Sequence, residues 1–302
     1  MILEILKTVL YGIVEGITEW LPISSTGHLI LLDNFIHLKV DDPAAFMEMF
    51  NVVIQLGAIL AVIVLFFRKL NPFAPGKSVT EKKGTWDLWF KVIVGVLPSA
   101  VIGFLLDDWM DAHLYNYVVV AITLILYGIA FLFVEQLNKR RTVKIRDVSE
   151  ISYRTAIFIG LFQCLALIPG TSRSGATILG AILLGVSRSA GAEFSFFLAI
   201  PTMVGASGLK LVKFLTESAL GGTEILLLAV GCLVSFLVSL LVIKSLMEYV
   251  RKHSFAAFGV YRIILGAVVL LHFAARNYFN LSATPIPQFS TFHFHLSTFN
   301  LF

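Results

Sequence analysis

Long apolar runs separated by short polar segments make up most of the chain. Six of these runs are long enough to cross a bilayer as helices, which takes about 20 apolar residues each. They are predicted at 46–67, 90–106, 117–135, 190–213, 225–243 and 255–275. The run at 90–106 is short and contains Pro98, which indicates a kink or a different boundary there. The pattern predicts an all-α polytopic membrane protein with six full transmembrane helices.

Two further apolar regions, 1–31 and 155–185, are interrupted by polar motifs. The first motif is WLPISSTGH (20–28) and the second is PGTSRSGAT (169–177). Their Pro, Gly and hydroxyl residues interrupt a helix, so each region is predicted as a pair of short helices. Because irregular backbone is not tolerated against lipid, the breaks are expected to be shielded by protein or to line a polar cavity.

Lys and Arg are distributed unevenly among the connecting loops. Loops 68–91 and 136–154 hold six each and 244–253 holds three, whereas 32–45 holds only Lys39, and 107–115 and 214–224 hold none. By the positive-inside rule the basic loops are cytoplasmic. Each broken region must then enter and leave on one side of the membrane as a re-entrant helical hairpin, the first from outside and the second from the cytoplasm. Both termini are predicted to be external, and DDWMDAH (107–113) is predicted as an external loop.

The two broken regions resemble each other. Aligning 12–31 with 160–179 pairs Gly12 with Gly160, Ser24 with Ser172 and Gly27 with Gly175. Three spans follow each region, so the order of elements repeats. A returning hairpin plus three crossings is an odd number per half, which requires the second half to be inverted. Inverted repeats with broken helices place their site near the membrane midplane.

The predicted organisation follows from this repeat. Residues 1–275 form one integral membrane domain of two inverted repeats, 1–135 and 155–275, joined by the basic cytoplasmic loop 136–154. A tail, 276–302, follows. With 58% hydrophobic and 14% charged residues, a water-soluble globular protein is excluded. The net charge of +4 lies in the short loops, so we expect no nucleic-acid partner.

Glu15 and Glu19 are spaced i, i+4, so on a helix they lie on one face. Two acids in an apolar helix are costly without a cation or a proton, which makes them functional candidates. Paired carboxylates suit Mg²⁺ or Ca²⁺, and substrate phosphates complete the shell of Mg²⁺. The alternative is a pair at a water-exposed helix end.

The first motif supplies hydroxyls, amides and an imidazole, which together can hold an anion and activate a nucleophile. Ser25 and His28 are the candidate reactive groups, whereas Ser24 and Thr26 also suit an N-cap of the next helix. In the second motif, Arg173 suits bidentate binding of phosphate. A salt bridge from Arg173 to Glu15 or Glu19 is the alternative. Arg262 has no such neighbours in sequence and is predicted to be structural.

EGITEWLPISSTGH (15–28) and the second motif resemble the two signature regions of the bacterial undecaprenyl pyrophosphate phosphatase family, also known for bacitracin resistance. The resemblance extends from Ile13 to about Phe273. It implies an enzyme of the bacterial inner (plasma) membrane that converts undecaprenyl pyrophosphate to the monophosphate carrier used in peptidoglycan synthesis. It also implies two re-entrant hairpins in an inverted repeat, with a site that opens to the periplasmic or external side.

The resemblance also assigns roles to residues. Glu15 and Glu19 would serve metal binding and proton transfer, Ser25 or His28 the attack, and Arg173 phosphate binding. The substrate-binding set would be Ser24, Thr26, Gly27, Ser172, Ser174 and Thr177. Direct attack by water stays open, as does the choice between monomer and homodimer. The competing hypothesis is a lipid-phosphate transporter or flippase, because inverted repeats with broken helices are also a transporter architecture.

Overall fold

The computed structural model describes residues 1–114 and 116–278, and these form an all-α protein. Within these residues no β-strand occurs, and one isolated bridge joins Ile145 to Val186. The first half contains α1 (Ile2–Thr18), α2 (Ser25–Asp33), α3 (Pro43–Val53), α4 (Gln55–Leu65), α5 (Phe67–Leu70), α6 (Val79–Leu114) and α7 (Tyr117–Asn138). The second half contains α8 (Tyr153–Cys164), α9 (Arg173–Leu183), α10 (Arg188–Glu217), α11 (Gly222–Lys252) and α12 (Ala256–Tyr278). Most of the tail predicted at 276–302 lies outside the described residues.

Six helical segments are long and apolar enough to cross a membrane, one for each predicted span. They are Pro43–Leu65, Val79–Leu106, Tyr117–Asn138, Arg188–Glu217, Gly222–Lys252 and Ala256–Ala275. The prediction of a polytopic all-α membrane protein is therefore confirmed. Several helices extend past the apolar runs because backbone hydrogen bonding continues into polar sequence.

The external loop predicted at 107–113 is wrong in its secondary structure. α6 begins at Val79, continues through Pro98 and ends only at Leu114. Near its end, Trp109 stacks on His113, one turn further along, with ring centroids 5.0 Å apart. The helix therefore continues through this segment.

Each broken region forms two helices joined by an irregular turn. The first turn, residues 19–24, joins α1 to α2. A short 3₁₀ helix follows α8, and the second turn, residues 168–172, joins that 3₁₀ helix to α9. Two helices and a break were predicted for both regions, and both are found. α1 packs against α2, and α8 packs against α9.

The two halves exchange their helix contacts. α1 packs along α11, and its counterpart α8 packs along α6, while α7 and α12 pack against each other. Glycines allow close backbone approach at matched places. A Cβ added to Gly160 would lie 1.9 Å from the carbonyl oxygen of Gly95, and one added to Gly12 would lie 2.9 Å from that of Gly231. The exchange brings the two turns together.

Candidate active site

The first turn forms because the chain cannot continue α1. Pro22 lacks a backbone N–H and blocks helix extension. Ser24 then takes a positive φ of 73°, which is rare outside glycine. Its side-chain oxygen accepts a hydrogen bond from the Gly27 amide at 3.2 Å and so caps α2. The capping role considered for Ser24 is confirmed.

The second turn repeats this geometry at the paired positions. Ser172 has a φ of 71°, and its side-chain oxygen accepts from the Gly175 amide at 3.2 Å. Gly170 has a φ of 86°, and an added Cβ would lie 2.2 Å from Thr123 Oγ1. The pairing of Ser24 with Ser172 and of Gly27 with Gly175 thus corresponds to the same local structure. Both turns end at a helix N-terminus, where amide groups and the helix dipole favour an anion.

Glu19 joins the two turns through its side chain. Ser25 Oγ donates a hydrogen bond of 2.7 Å to Glu19 Oε2, and Arg173 Nη2 donates one of 3.1 Å to Glu19 Oε1. Glu19 and Ser25 are buried, with 5% and 8% exposure. A hydroxyl bonded to a carboxylate can be deprotonated, and here the same carboxylate faces a guanidinium, a group that suits phosphate. The salt bridge considered for Arg173 is present.

Arg173 is held on three sides. Its Nη1 donates to the carbonyl oxygen of Ser195 at 2.7 Å, and its guanidinium lies 5.9 Å from the centroid of the Trp20 ring. Trp20 packs edge-on against Phe196. Among the described residues, Nε of Arg173 has no hydrogen-bond partner. The Nε–H of the guanidinium therefore remains unpaired among these residues.

The remaining polar residues of the second motif dock its turn on the first. Ser174 Oγ lies within hydrogen-bond distance of the carbonyl oxygens of Glu19 and Leu21, at 3.1 and 3.3 Å. Thr177 Oγ1 lies 2.6 Å from Ser195 Oγ, and Ser172 Oγ lies 3.2 Å from Ser174 Oγ. Ser174 and Thr177 are fully buried. In this arrangement these hydroxyls hold the two turns and α10 together.

Glu15 lies one helical turn before Glu19 and is fully buried. Neither of its carboxylate oxygens has a hydrogen-bond partner among the described residues. The same residues contain no cluster of three or more His, Cys, Asp and Glu side chains that would hold a metal alone. An orphaned carboxylate beside a second carboxylate fits a divalent cation whose remaining ligands are phosphate oxygens.

His28 lies in α2 but bonds away from Glu19 and Ser25. Its Nδ1 lies 2.7 Å from the carbonyl oxygen of Ser24, and its Nε2 lies 2.7 Å from the Tyr261 hydroxyl. A carbonyl oxygen only accepts, so Nδ1 carries the proton and Nε2 accepts from Tyr261. The imidazole therefore forms no hydrogen bond to Ser25, the other candidate nucleophile.

Thr26 and Gly27 of the first motif differ in burial. Thr26 is exposed. Gly27 is buried, and a Cβ there would lie 3.4 Å from Leu124. Thr26 takes no part in the polar contacts described above, whereas Gly27 contributes the amide that Ser24 caps.

Arg262, predicted to be structural, contacts both turns. It is fully buried in α12 and donates to the carbonyl oxygens of Pro22, Gly170 and Thr171 at 3.1, 2.8 and 2.9 Å. Its neighbours are backbone groups of both turns, which a sequence pattern does not reveal. An arginine inside an apolar span was the available signal.

Sequence reasoning also missed Trp20, Ser195 and Tyr261, which contact Arg173 or His28. Trp20 stands inside the first motif and could have been included on that basis. Ser195 and Tyr261 occupy α10 and α12 without any local pattern. Only the tertiary structure brings them to the site.

A cavity of about 530 Å³ lies beside the first turn, between α1 and α12. Its lining is mainly apolar and includes Ile17, Leu21 and Phe258, together with His28 and Tyr261. Such a lining suits a hydrocarbon chain next to a polar site.

Comparison with known proteins extends this picture. The family model of bacitracin resistance protein BacA matches residues 8–268 of the chain. This range contains both motifs, the first five spans, most of the sixth span and every residue of the site described above.

Curated relatives match over nearly their whole length. An undecaprenyl-diphosphatase of Streptococcus thermophilus (strain ATCC BAA-250 / LMG 18311) is 57% identical, with 92% of this chain and 96% of that protein covered. One of Lactiplantibacillus plantarum is 58% identical, with 90% and 98% covered. One of Enterococcus faecalis is 58% identical, with 87% and 95% covered.

Proposed function

Since the chain belongs to the bacitracin resistance protein BacA family, we propose that it hydrolyses undecaprenyl diphosphate to undecaprenyl phosphate and inorganic phosphate. The observation that carries this proposal is the hydrogen-bonded arrangement of Ser25, Glu19 and Arg173. A hydroxyl, a carboxylate and a guanidinium from both halves of the chain lie together there, which supports their use as nucleophile, base and phosphate-binding group.

In the proposed reaction, Ser25 Oγ attacks the terminal phosphorus atom in line with the bridging oxygen. Glu19 takes the hydroxyl proton as the new O–P bond forms. The bond from phosphorus to the bridging oxygen breaks, and the lipid monophosphate leaves. Water then attacks the phosphoserine, its hydroxyl group joins phosphorus and inorganic phosphate is released. The Ser25 oxygen takes back the proton held by Glu19, and Glu19 accepts the proton lost by the water.

Arg173 and the two helix N-termini stabilise the negative charge of the transferred phosphoryl group. The ion pair with Glu19 holds the guanidinium in place before substrate binds, and the unpartnered Nε provides a donor for a phosphate oxygen. We also propose that the substrate phosphate contacts the hydroxyls of Ser172, Ser174 and Thr177. His28, held by Ser24 and Tyr261, serves as an acid or base if substrate reorients it.

Glu15 and Glu19 would hold a divalent cation, Mg²⁺ or Ca²⁺. The cation, when bound, neutralises charge on the pyrophosphate. The unpartnered, buried carboxylate of Glu15 supports this assignment. The apolar cavity beside the first turn supports a prenyl chain at this position.

We propose that the protein resides in the bacterial plasma membrane with its site open to the external side. The support is the distribution of Lys and Arg, which places loops 68–91 and 136–154 in the cytoplasm. The first hairpin, with Glu15 and Ser25, then enters from outside. A product released there carries its phosphate on the external leaflet.

Phosphate release from a polyprenyl diphosphate by purified protein in detergent tests the function. Wild type with Mg²⁺ or Ca²⁺ should release phosphate, and Arg173→Ala should lose most of this activity. Detergent removes the two compartments, so a pure transporter would release no phosphate. Wild type that releases no phosphate would therefore favour the transporter hypothesis over hydrolysis. Arg188→Ala is the control, because Arg188 pairs with Glu135 outside the cluster.

Trapping the label of a substrate with a radioactive terminal phosphate tests the nucleophile. Rapid quench in neutral detergent denaturant, in which both phosphoserine and phosphohistidine survive, should leave label on Ser25. Label on His28 would show that His28, and not Ser25, is the nucleophile. Absence of label on either residue under single-turnover conditions would indicate direct attack by water.

A further inference from the structure

Arg262 connects the two turns from a third element. Its guanidinium projects from α12, donates from Nη1 to Pro22 and donates from Nη2 to Gly170 and Thr171. Pro22 lies midway between Glu19 and Ser25 in the first turn. Gly170 and Thr171 immediately precede Ser172 and Arg173. One rigid group therefore holds the backbone next to both parts of the site.

The environment of Arg262 is unusual for a purely structural arginine. It is fully buried in an apolar span, and among the described residues no carboxylate forms an ion pair with it. Its other neighbour is the ring of Tyr127, whose centroid lies 5.4 Å away. An unpaired cation at membrane depth is costly. A Met or Leu at this position would avoid that cost, so the guanidinium points to a specific requirement.

We propose that Arg262 is a positioning residue for hydrolysis, which sets the first turn against the second so that Ser25, Glu19 and Arg173 meet. This proposal rests on the function proposed above. Ser174 and the ion pair between Glu19 and Arg173 are the other direct links between the turns. Both of those links belong to the site itself, whereas Arg262 acts from outside it.

The planar fork of an arginine is needed for this role. Two nitrogens on a fixed frame reach the two turns at once, whereas a lysine presents one compact ammonium on a flexible stem. Gly175 leaves room for the fork, because a Cβ there would lie 3.1 Å from Arg262 Nη1. A displacement of about 1 Å between reacting groups can lower a rate about 100-fold.

Steady-state kinetics of Arg262→Lys in detergent, with polyprenyl diphosphate and Mg²⁺, tests the proposal. We expect kcat to fall about 100-fold while KM stays within about threefold, because the groups are misaligned and substrate binding is retained. The thermal unfolding midpoint, measured alongside, reports the folded fraction. Arg188→Lys is the matched control and should keep kcat, since Arg188 pairs with Glu135 away from both turns.

Chemical rescue separates positioning from folding. Arg262→Ala should regain part of its kcat with millimolar guanidinium but not with methylammonium, which has charge without the fork. Wild-type kcat in Arg262→Lys would overturn the proposal. The proposal would also fail if the loss of kcat in Arg262→Ala equals the loss of folded protein and guanidinium restores no activity. If Arg262→Ala does not fold, the kinetics of Arg262→Lys decide alone. Inactive wild type would instead contradict the proposed function.

Discussion

Glu19 has two side-chain partners, and sequence analysis had treated the ion pair with Arg173 as an alternative to phosphate binding by that arginine. One carboxylate oxygen accepts from Ser25, and the other forms the ion pair with Arg173. Glu19 gives the buried Arg173 a counter-charge before substrate arrives, and removing one partner of a buried ion pair is strongly destabilising. The ion pair and a phosphate-binding role are therefore compatible in one residue. The same pair aligns the proposed base, Glu19, with the proposed nucleophile, Ser25.

Ser25→Ala tests the proposed nucleophile. Removing the hydroxyl should lower kcat at least about a thousandfold, because both the nucleophile and its proton transfer to Glu19 are lost. Phosphate release in detergent measures the effect. Ser207→Ala is the control, since Ser207 is also buried but donates to the carbonyl oxygen of Val52, away from the turns. Near-wild-type activity of Ser25→Ala would favour His28 or water as nucleophile.

Glu15→Gln tests the proposed cation site. The amide keeps the shape of the side chain but removes a negative charge, so the metal concentration for half-maximal activity should rise at least roughly tenfold. A titration of activity with Mg²⁺ and with Ca²⁺ measures this shift. Glu193→Gln, a buried acid paired with Lys69, should leave the titration unchanged. Reduced activity with an unchanged metal requirement would argue against metal binding by Glu15.

Residues with a chemical reason to stand in apolar sequence were predictable, and residues recruited by packing were not. Glu15, Glu19 and Arg173 are costly in a membrane and stood out for that reason. Ser195 contributes a backbone carbonyl to Arg173, and any residue type has such a group. Tyr261 meets His28 across 233 positions, so no local pattern indicates it.

Among the elements, helix identity was predictable from apolar length, and helix ends were not. Hydropathy marks where a helix leaves hydrocarbon, whereas caps and backbone hydrogen bonds mark where it ends. α10 begins at Arg188 because Ser187 caps it, and α6 starts at Val79 in basic, polar sequence. The breaks in both hairpins were predictable because Pro and Gly act locally.

Gly160→Ala tests the close packing of α8 on α6. In Gly160→Ala the new methyl would lie 1.9 Å from the Gly95 carbonyl oxygen, and backbone cannot yield as a side chain does. Overpacking of this kind costs about 1–3 kcal/mol or more of unfolding free energy. Thermal unfolding in detergent should show a lower midpoint.

Gly84→Ala is its matched control in the same pair of helices. A Cβ there has no neighbour within 4 Å. Replacing an unneeded helical glycine should stabilise by about 0.5–1 kcal/mol. Equal midpoints for the two variants would contradict the close approach of α8 and α6.

For the whole molecule, the exchange of contacts between halves explains how distant segments form one site. The pairing of α1 with α11 and of α8 with α6 is what two related halves would produce when they interlock. Local evidence agrees, because Ser24 and Ser172 share a positive φ and a capping bond. The inverted membrane orientation of the halves stays a prediction from the basic loops.

Accessibility of single cysteines tests that orientation. With Cys164 and Cys232 replaced, cysteines are placed at the exposed positions Leu3, Phe35 and Lys82. If α1 and α2 form a re-entrant hairpin, a membrane-impermeant maleimide should label Leu3→Cys and Phe35→Cys in intact cells. Lys82→Cys should react only after permeabilisation, since its loop is basic and one span follows Phe35. Labelling of Leu3→Cys and Phe35→Cys from opposite sides would mean that the first broken region crosses the membrane, and the halves would then not be inverted.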